Sequence, residues 1–556
     1  MAPVETPDLN GAFPRLGDEQ IAALSTRGER RRTRAGEVLY REGEPVSDFI
    51  VVLEGLVAIV EGDGERELAV HGPGRFLGEV NLLTGQAAFL TAVVREAGAV
   101  LVVPLERLRE AVAQDARLGD LIVQAYLIRR SLLIELGSGF RIVGSRYDPD
   151  TRRLREFAAR NRLPHRWLDL ERDPQAEALL RELGIGPEDT PVVIWRGRTV
   201  LRNPGNAELA RTIGLRPTTS APLDCDLLVV GAGPAGLAAA VYGASEGLAT
   251  VVLDGVATGG QAGTSSRIEN YLGFPSGISG AELAERAVIQ ARRFGARITV
   301  PAKATGLERL DGHHVLRLDD GSAVRALTVL IATGARYRRL DVPRIGELEG
   351  ISVYYAATWM EAQFCAGDPI VIVGGGNSAG QAAVFLSKHA HRIHLAIRHE
   401  DLGRDMSRYL VDQIERIPTV DVLRCTELRE LVGGEALEAV VVEDRRTGRR
   451  RRLEARALFV FIGLEPHAGW LGGQLAVDER GFVLTGPDAV ASELHADGWD
   501  LVRRPLPLET SRPGVFAAGD VRSGAIRRVA SAVGEGAMAV RLVHEHLEQL
   551  GGGHGA

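Results

Sequence analysis

The sequence predicts a multidomain α/β protein: a strand-rich N-terminal roll, a module that begins as βαβ, and then two strand-turn-helix folds, one inserted inside the other. The run Asp226-Leu227-Leu228-Val229-Val230-Gly231-Ala232-Gly233-Pro234-Ala235-Gly236-Leu237 joins an apolar strand to a tight glycine turn and a helix. Residues 370–397 repeat that order with Gly374, Gly376 and Ala379 at the turn. Between Phe13 and Leu133, alternating apolar runs are separated by close turns at Gly43-Glu44-Pro45, Gly62-Asp63-Gly64 and Gly72-Pro73-Gly74. At 556 residues the chain is several times the usual length of about 100–200 residues per domain, so three or four compact units are expected.

Composition narrows the function class. The formal net charge of −7, with charged residues spread along the chain, provides no electrostatic footprint for nucleic acid or an anionic membrane surface. No stretch approaches the roughly 20 apolar residues needed to span a bilayer, and the opening residues MAPVETPDLNGAFPRLGDEQ lack the regions of a signal peptide, so a cytoplasmic location is expected. Three cysteines, Cys225, Cys365 and Cys425, are too widely separated for a disulfide framework, a metal-ligand spacing or a vicinal redox pair. The arginine-rich runs at 29–34 and 445–452 read as solvated turns or hairpin edges.

Around Phe49-Ile50-Val51-Val52-Leu53-Glu54-Gly55 and over residues 74–85, the segment 13–133 resembles cyclic-nucleotide-binding domains, which are β-rolls with a phosphate-binding cassette. The resemblance puts Glu79 on a ribose hydroxyl and calls for an arginine a few residues later to pair with the cyclic phosphate. That position is Ala88. Loss of a buried phosphate partner costs on the order of a few kcal/mol, so a degenerate or repurposed pocket is expected, not an ordinary cAMP site. Arg95 offers another cation, but no spacing requires it.

Residues 138–216 begin with a strand at 140–144 and an amphipathic helix at 151–162. They continue through Trp167-Leu168-Asp169-Leu170, a helical segment at 175–183 and Thr190-Pro191-Val192-Val193-Ile194. This stretch resembles a thioredoxin- or glutaredoxin-like fold, with Thr190-Pro191 at the family's cis-proline position. The redox Cys-x-x-Cys of that family falls on Asp148-Pro149-Asp150-Thr151, so a scaffold without dithiol chemistry is expected. Residues 217–223 read as a linker.

The glycine turn at 231–236 carries the strongest chemical signal. Gly231 permits the turn, Gly233 lets backbone approach a pyrophosphate, Gly236 allows close helix packing, and the helix N-terminus beginning at Pro234 and Ala235 stabilises phosphate charge. Asp254 ends the next strand, at the distance expected for a ribose contact. Further motifs accompany it: Gly259-Gly260-Gln261, Ile268-Glu269-Asn270-Tyr271, Ala332-Thr333-Gly334-Ala335 and residues 513–520. Together they resemble the FAD domain of low-molecular-weight thioredoxin reductases, a likeness that covers roughly the last three-fifths of the chain. It assigns an FAD-binding domain to 224–341 and 459–556. Gln261 and Asn270 then stand at the flavin, Gly519 and Asp520 at its ribityl and phosphate portion, and Arg527, Arg528 and Val529 near the isoalloxazine edge.

The inserted fold, 342–458, corresponds to the family's NAD(P) domain, with Gly374, Gly376, Asn377, Ser378 and Ala379 at the phosphates. No acidic residue ends its second strand to accept a free 2′-hydroxyl, which favours NADPH over NADH. Arg398 resembles one member of the family's 2′-phosphate cluster; His399 stands where a second basic residue is usual, and Arg404 is offset by one from a third. Glu400 works against the cluster.

Where the family carries its Cys-x-x-Cys this chain has Ala357-Thr358-Trp359-Met360. Ala357 and Met360 cannot form the thiolate-flavin adduct that passes two electrons to a disulfide. Cys365, the nearest thiol, reads better as a packed small hydrophobe than as a nucleophile. Trp359 either covers the flavin or fills the vacated space. Taken together, the chain resembles cyclic-nucleotide-binding-domain thioredoxin reductase-like proteins: an N-terminal cNMP-binding-like β-roll, a thioredoxin-like module and two interleaved Rossmann-like dinucleotide-binding domains. The likeness implies an NAD(P)H-dependent FAD oxidoreductase, dimeric as its relatives typically are, that hands electrons to a small-molecule or protein acceptor. Two alternatives stand beside it: a non-catalytic flavin- or nucleotide-bound sensor, and a thioredoxin-disulfide reductase that borrows thiols from a partner.

Overall fold

Alternating burial along two long strands shapes the N-terminal roll. A computed structural model of the chain describes all residues except 1–3, 45–47, 62–65, 79–81, 84–86, 197–198, 216–222, 266, 350, 358, 491–498, 500–502 and 553–556. The turn at 62–64, Glu79, Thr358 and the linker 217–222 are therefore outside the described residues. The strands are β1 (Glu29–Thr33), β2 (Val38–Tyr40), β3 (Asp48–Glu61), β4 (Arg66–His71) and β5 (Thr91–Pro104), in the antiparallel order β1-β5-β3-β4 with β2 on β5. β3 bends at Gly55, whose φ of 83° and approach to the Glu96 carbonyl leave no room for a side chain. The helix Ala116–Glu135 is N-capped by Asp115, which accepts from the amides of Arg117 and Leu118. It carries Arg129, whose guanidinium donates to the carbonyls of Ala12, Gly78 and Phe76 and lies 4.7 Å over the Phe76 ring.

The second module orders its strands β7-β6-β8-β9, from β6 (Phe140–Gly144), β7 (His165–Asp169), β8 (Val192–Trp195) and β9 (Thr199–Arg202). β6 and β7 are parallel; β6–β8 and β8–β9 are antiparallel. Helices Pro149–Arg160, Pro174–Glu182 and Asn206–Thr212 complete it, and Thr190–Pro191 is cis. Asp148 is the N-cap of the first helix: its Oδ2 accepts from the Thr151 amide at 2.6 Å and the Thr151 hydroxyl at 2.7 Å.

Against the expected three or four compact units, two are observed: Met1–Ala221 with Gly255–Ala257 and Val288–Lys303, and the remainder. The roll and the second module merge because their apolar faces meet. Val52, Val57, Ile59 and Phe89 of the roll share one core with Phe140, Ile142, Phe157 and Trp195, and Phe89 meets Trp195 edge to face with centroids 5.7 Å apart.

In the second unit, β10 (Leu223–Val230), β11 (Thr250–Leu253), β15 (Ala323–Ile331) and β26 (Val515–Ala517) are parallel, and β13 (Ala304–Leu310) and β14 (His313–Leu318) extend that sheet beyond β15 antiparallel. A second, all-parallel sheet has the order β17-β24-β18-β19-β20, from β17 (Val353–Tyr354), β18 (Pro369–Val373), β19 (Arg392–Ala396), β20 (Val420–Leu423) and β24 (Ala457–Val460). β18 shows why its sequence is uninterruptedly apolar. Ile370 and Ile372 pack among Ala383, Leu386 and Leu410, while Val371 and Val373 face Leu431, Val440 and Val442 of the three-stranded sheet β21 (Thr426–Gly433), β22 (Leu437–Asp444), β23 (Arg450–Glu454). The antiparallel ribbon of β16 (Ala335–Tyr337) and β25 (Leu464–Pro466) brackets the inserted fold.

Behind β14, a buried polar cluster ties the C-terminal helix Val529–Gly552 to the sheet. Glu509, fully buried, accepts from Arg503 and from the amides of Leu506 and Gly514, while Arg503 also donates to His546. His314 lies beside Gly514, and burial pushes its imidazole down to about 4, with the charges of Arg309 and His546 adding to the shift. A buried neutral histidine binds its proton more readily once unfolded, so it costs stability below its ordinary value near 6.5 and the loss is complete by about 4. The urea midpoint is expected to fall as pH drops through that window, and His314→Gln to flatten the fall; equilibrium unfolding at pH 7, 6, 5 and 4 checks this.

Candidate functional site

Both glycine turns form where a parallel strand hands the chain to a helix. Gly231, at φ 108°, follows β10, and a Cβ there would lie 2.3 Å from the Ala332 carbonyl oxygen. Gly374, at φ 145°, follows β18, and a Cβ there would lie 2.2 Å from the Phe461 carbonyl oxygen. Past each turn, a glycine caps the helix without a side-chain acceptor: Gly233 for Pro234–Ser245 and Gly376 for Asn377–Leu386. Neither helix has an acidic residue in its first turn, so no side chain at the cap or in the first turn opposes the partial positive charge of the N-terminal amides. Around Gly233 the nearest atom to a Cβ would be the Gly260 Cα at 3.9 Å, and around Gly376 the Asp405 carbonyl oxygen at 3.8 Å. Two backbone cradles thus exist whose shape and dipole suit a pyrophosphate.

The residues expected at the flavin gather unevenly about the first cradle. Asp254 Oδ2 accepts from the Ala232 amide at 2.9 Å and so braces the turn. Gly519 adjoins Ala235, and its amide donates to Glu535, which also pairs with Arg522. Asp520 follows; burial raises its carboxyl above the ordinary range, with Arg527 working the other way. Ala332 is buried, Thr333 donates its hydroxyl to the His467 carbonyl, and Gly334 accepts from the His467 amide. Gln261 reaches the Ala335 carbonyl at 3.5 Å. Asn270, Arg527 and Arg528 are exposed, with Arg527 stacked 5.3 Å from the Phe482 ring centroid; Val529 opens the C-terminal helix. The bracing by Glu535 and His467 went unnoticed in the sequence, because neither belongs to a motif.

At the second cradle, Asn377 Oδ1 accepts from the Ser407 amide and hydroxyl at 2.6 and 2.8 Å, a clamp that no motif announces. Ser378 is exposed beside it, and Ala379 is fully buried. Beyond β19, Arg398 is exposed, and Arg404 donates to His399 Nδ1 at 3.0 Å, so the two are brought together despite the offset in sequence. Glu400 lies 3.9 Å from Arg446, a cation from the arginine-rich hairpin, which offsets its charge.

The position of the expected sulfurs is occupied by the short helix Trp359–Phe364. Ala357 packs on the core of the inserted fold; the side chain of Met360 is outside the described residues. Trp359 is 60% exposed and sits edge-on to His389 at 5.2 Å, and so does not fill a core. Cys365 is buried among Ala362, Ile370 and Leu386; burial pushes its thiol up to about 11, and Asp368 adds to the shift. All three cysteines are free and buried. Among the described residues, no His/Cys/Asp/Glu group could hold a metal, and no helix is long and apolar enough to cross a membrane.

Residues 225–536 match the pyridine nucleotide-disulphide oxidoreductase family, and residues 30–115 match the cyclic nucleotide-binding domain. The chain belongs to the pyridine nucleotide-disulphide oxidoreductase family and is an NAD(P)H-dependent flavoprotein oxidoreductase. It is 32% identical over 327 residues to the thioredoxin reductase of Treponema pallidum, covering 59% of this chain and 98% of that protein. It is 32% identical over 322 residues to the 34.2 kDa protein in the rubredoxin operon of Clostridium pasteurianum, covering 58% of this chain and 97% of that protein. Among solved structures, it is similar to Lactococcus lactis thioredoxin reductase, with a TM-score of 0.53, 26% identity, and coverage of 58% of this chain and 99% of that one.

Burial of all three thiols has a chemical consequence. The native protein is expected to react with a chromogenic disulfide reagent at pH 7.5 orders of magnitude more slowly than the unfolded protein, and prior incubation with NADPH is expected to release no additional thiol. Rapid labelling of two thiols after reduction would reveal a disulfide couple. The turns make a second prediction: Gly231→Ala forces a Cβ against the Ala332 carbonyl at positive φ, costs about 1–3 kcal/mol, and is expected to yield protein depleted of FAD, read as the flavin-to-protein absorbance ratio.

Proposed function

We propose that this chain is an NADPH-preferring flavin reductase that delivers electrons directly to an external acceptor, without a disulfide of its own. The observation that carries this reading is the coexistence, in one compact unit, of two glycine cradles with a sulfur-free segment at 357–360. In this reading the first cradle holds the FAD pyrophosphate through the amides at Gly233–Gly236, with Asp254 keeping the turn in place. Asp520, Gln261 and Asn270 contact the remainder of that cofactor. The second cradle holds the nicotinamide dinucleotide through the amides at Gly376–Ala379, and the Asn377–Ser407 clamp fixes its rim. When bound, the two cofactors supply hydride transfer from nicotinamide to flavin N5.

The chain's own part is binding, orientation and electrostatics. Arg398, with the coupled pair His399 and Arg404, supplies positive charge where a ribose 2′-phosphate would sit, and Glu400 is offset by Arg446. Cys365 takes no part: it is buried and its thiol is protonated at neutral pH, which argues against the reading that borrows a partner's thiols through it. The sensor reading needs only one cofactor site and leaves the second cradle without a use. We further read residues 138–216 as a thioredoxin-like scaffold in which Asp148 and Thr151, at the ends of the lost Cys-x-x-Cys, serve as a helix cap.

The test is anaerobic mixing of FAD-loaded protein with NADPH or NADH, followed by flavin absorbance. NADPH is expected to bleach the flavin within seconds and NADH more slowly. Arg398→Glu is expected to weaken NADPH at least tenfold while leaving NADH within about twofold. A flavin that stays oxidised with both donors would overturn the reductase reading; equal loss with both donors would overturn the 2′-phosphate role alone.

A further inference from the structure

The roll encloses a cavity of about 230 Å³. Its wall is apolar: Ile59 and Leu68 from the sheet, Leu82 and Phe89 from the region of the cassette, and Leu133 from the helix Ala116–Glu135. Leu9 and Leu136, 43% and 46% exposed, make its rim apolar as well. Ala88 contributes a methyl where a phosphate-binding roll would carry its arginine, and is held by backbone hydrogen bonds to Gly43 and Glu44.

The cations near this cavity are already engaged. Arg129 lines it, but its three guanidinium nitrogens donate to the carbonyls of Ala12, Gly78 and Phe76 at 2.7, 2.7 and 3.0 Å. Arg95 is not among the lining residues; it pairs with Glu67 at 3.0 Å and is part-exposed. A phosphate anion placed inside would lose its hydration beside a guanidinium whose three nitrogens are committed to carbonyls and beside Glu135, a lining carboxylate that repels it.

One polar atom of the wall stands out. His71, 2% exposed, lines the cavity, and its Nδ1 is buried without a hydrogen-bond partner. A buried unpaired nitrogen is costly unless something satisfies it, and the imidazole that carries it lines the cavity. Cavities of about 150 Å³ with such walls take benzene, so this one accommodates a molecule somewhat larger.

We propose that the roll is a receptor for an uncharged, apolar small molecule of one or two rings bearing a single hydrogen-bonding group, which the His71 imidazole engages, and not for a cyclic nucleotide. The match of residues 30–115 to the cyclic nucleotide-binding domain then describes the scaffold and not the ligand. Burial, with Arg129 and Arg75 nearby, holds the imidazole neutral at pH 7, so it offers a hydrogen bond without a charge to be balanced. The site belongs to the N-terminal unit and does not depend on which donor or acceptor the reductase uses.

The test uses the full-length, FAD-bound protein and three probes: 2-naphthol, naphthalene and cyclic AMP. Equilibrium dialysis is expected to show one saturable 2-naphthol per chain that cyclic AMP does not displace. His71→Phe, which keeps the ring and removes the nitrogen, is expected to weaken 2-naphthol about tenfold and leave naphthalene unchanged. Ala88→Phe and Ile59→Phe each fill the cavity independently and are expected to abolish binding of both; thermal unfolding and flavin content identify any variant that fails to fold, and the other then serves. Displacement of 2-naphthol by cyclic AMP, stoichiometric binding of cyclic AMP, or 2-naphthol binding unaffected by His71→Phe and by the filled cavity would each overturn the proposal.

Discussion

Everything at the cofactor cradles depends on a backbone approach that no side chain permits. Gly231 and Gly374 stand at the ends of two central parallel strands, and each is pressed against a carbonyl just beyond the neighbouring strand, Ala332 after β15 and Phe461 after β24. The two halves of the catalytic unit thus solve the same steric problem in the same way. With the turn that tight, the next helix starts directly over the strand ends and its first amides point outward. The amides are left free because glycine occupies each cap and no acidic side chain competes in the first turn. Elsewhere in this chain helices are capped by aspartate, as at Asp115, Asp148 and Asp173, where the amide donors are consumed internally. Glycine also caps Asp18–Ser25 and Asn206–Thr212, where acidic residues stand in the first turn, so the two cradle helices are set apart by a glycine cap together with a first turn free of acidic side chains.

In the proposed reading of residues 138–216 as a thioredoxin-like scaffold, that same contrast turns a redox position into a structural one. At 148–151 the chain has Asp-Pro-Asp-Thr ahead of a helix, and the Asp148 carboxylate takes up the donors of Thr151. At 357–360 the sulfurs give way to an alanine that joins the core and a short helix whose tryptophan stays exposed. The three cysteines are free and buried, and burial pushes the Cys365 thiol up to about 11, which disfavours its thiolate. In the proposed reading, two-electron chemistry in this unit rests on cofactor geometry and not on a protein nucleophile.

How much of this was legible in the sequence follows from how local each feature is. The glycine turns, the strand-helix alternation and the missing vicinal cysteines are properties of short windows, so β10, β18 and the helices after them were anticipated. The basic cluster was visible in its members Arg398, His399 and Arg404, but not in its contacts: the loop turns back so that Arg404 meets His399 Nδ1, and Arg446 arrives from a hairpin some forty residues later in the chain. The Asn377–Ser407 clamp and the Glu535 and His467 braces are long-range contacts of ordinary residues, which periodicity cannot reveal. The packing of the roll and the second module into one compact unit is hidden for a related reason. Phe89, Phe140 and Trp195 stand in separate local patterns, and nothing in those patterns shows that the three rings belong to one core.

That shared core also bears on the roll cavity. Phe89 is part of the cavity wall and at the same time meets Trp195 of β8, while Arg130, from the helix that forms another part of the wall, lies 5.5 Å from the Phe89 ring and donates to the Arg162 carbonyl of the second module. An occupant of the cavity touches a side chain that is simultaneously packed on the neighbouring module, so no intervening linker separates the two. Close-packed interiors respond to such contact by repacking, not by yielding continuously. A ligand acts on the second module only if it favours one packing of the Phe89–Trp195 pair over another, because equal affinity for both shifts nothing. The alanine at position 88 matters in this light: with a methyl in place of a charged side chain, the contact between ligand and roll is dispersive and shape-dependent, which is the kind of contact a ring repacking can read.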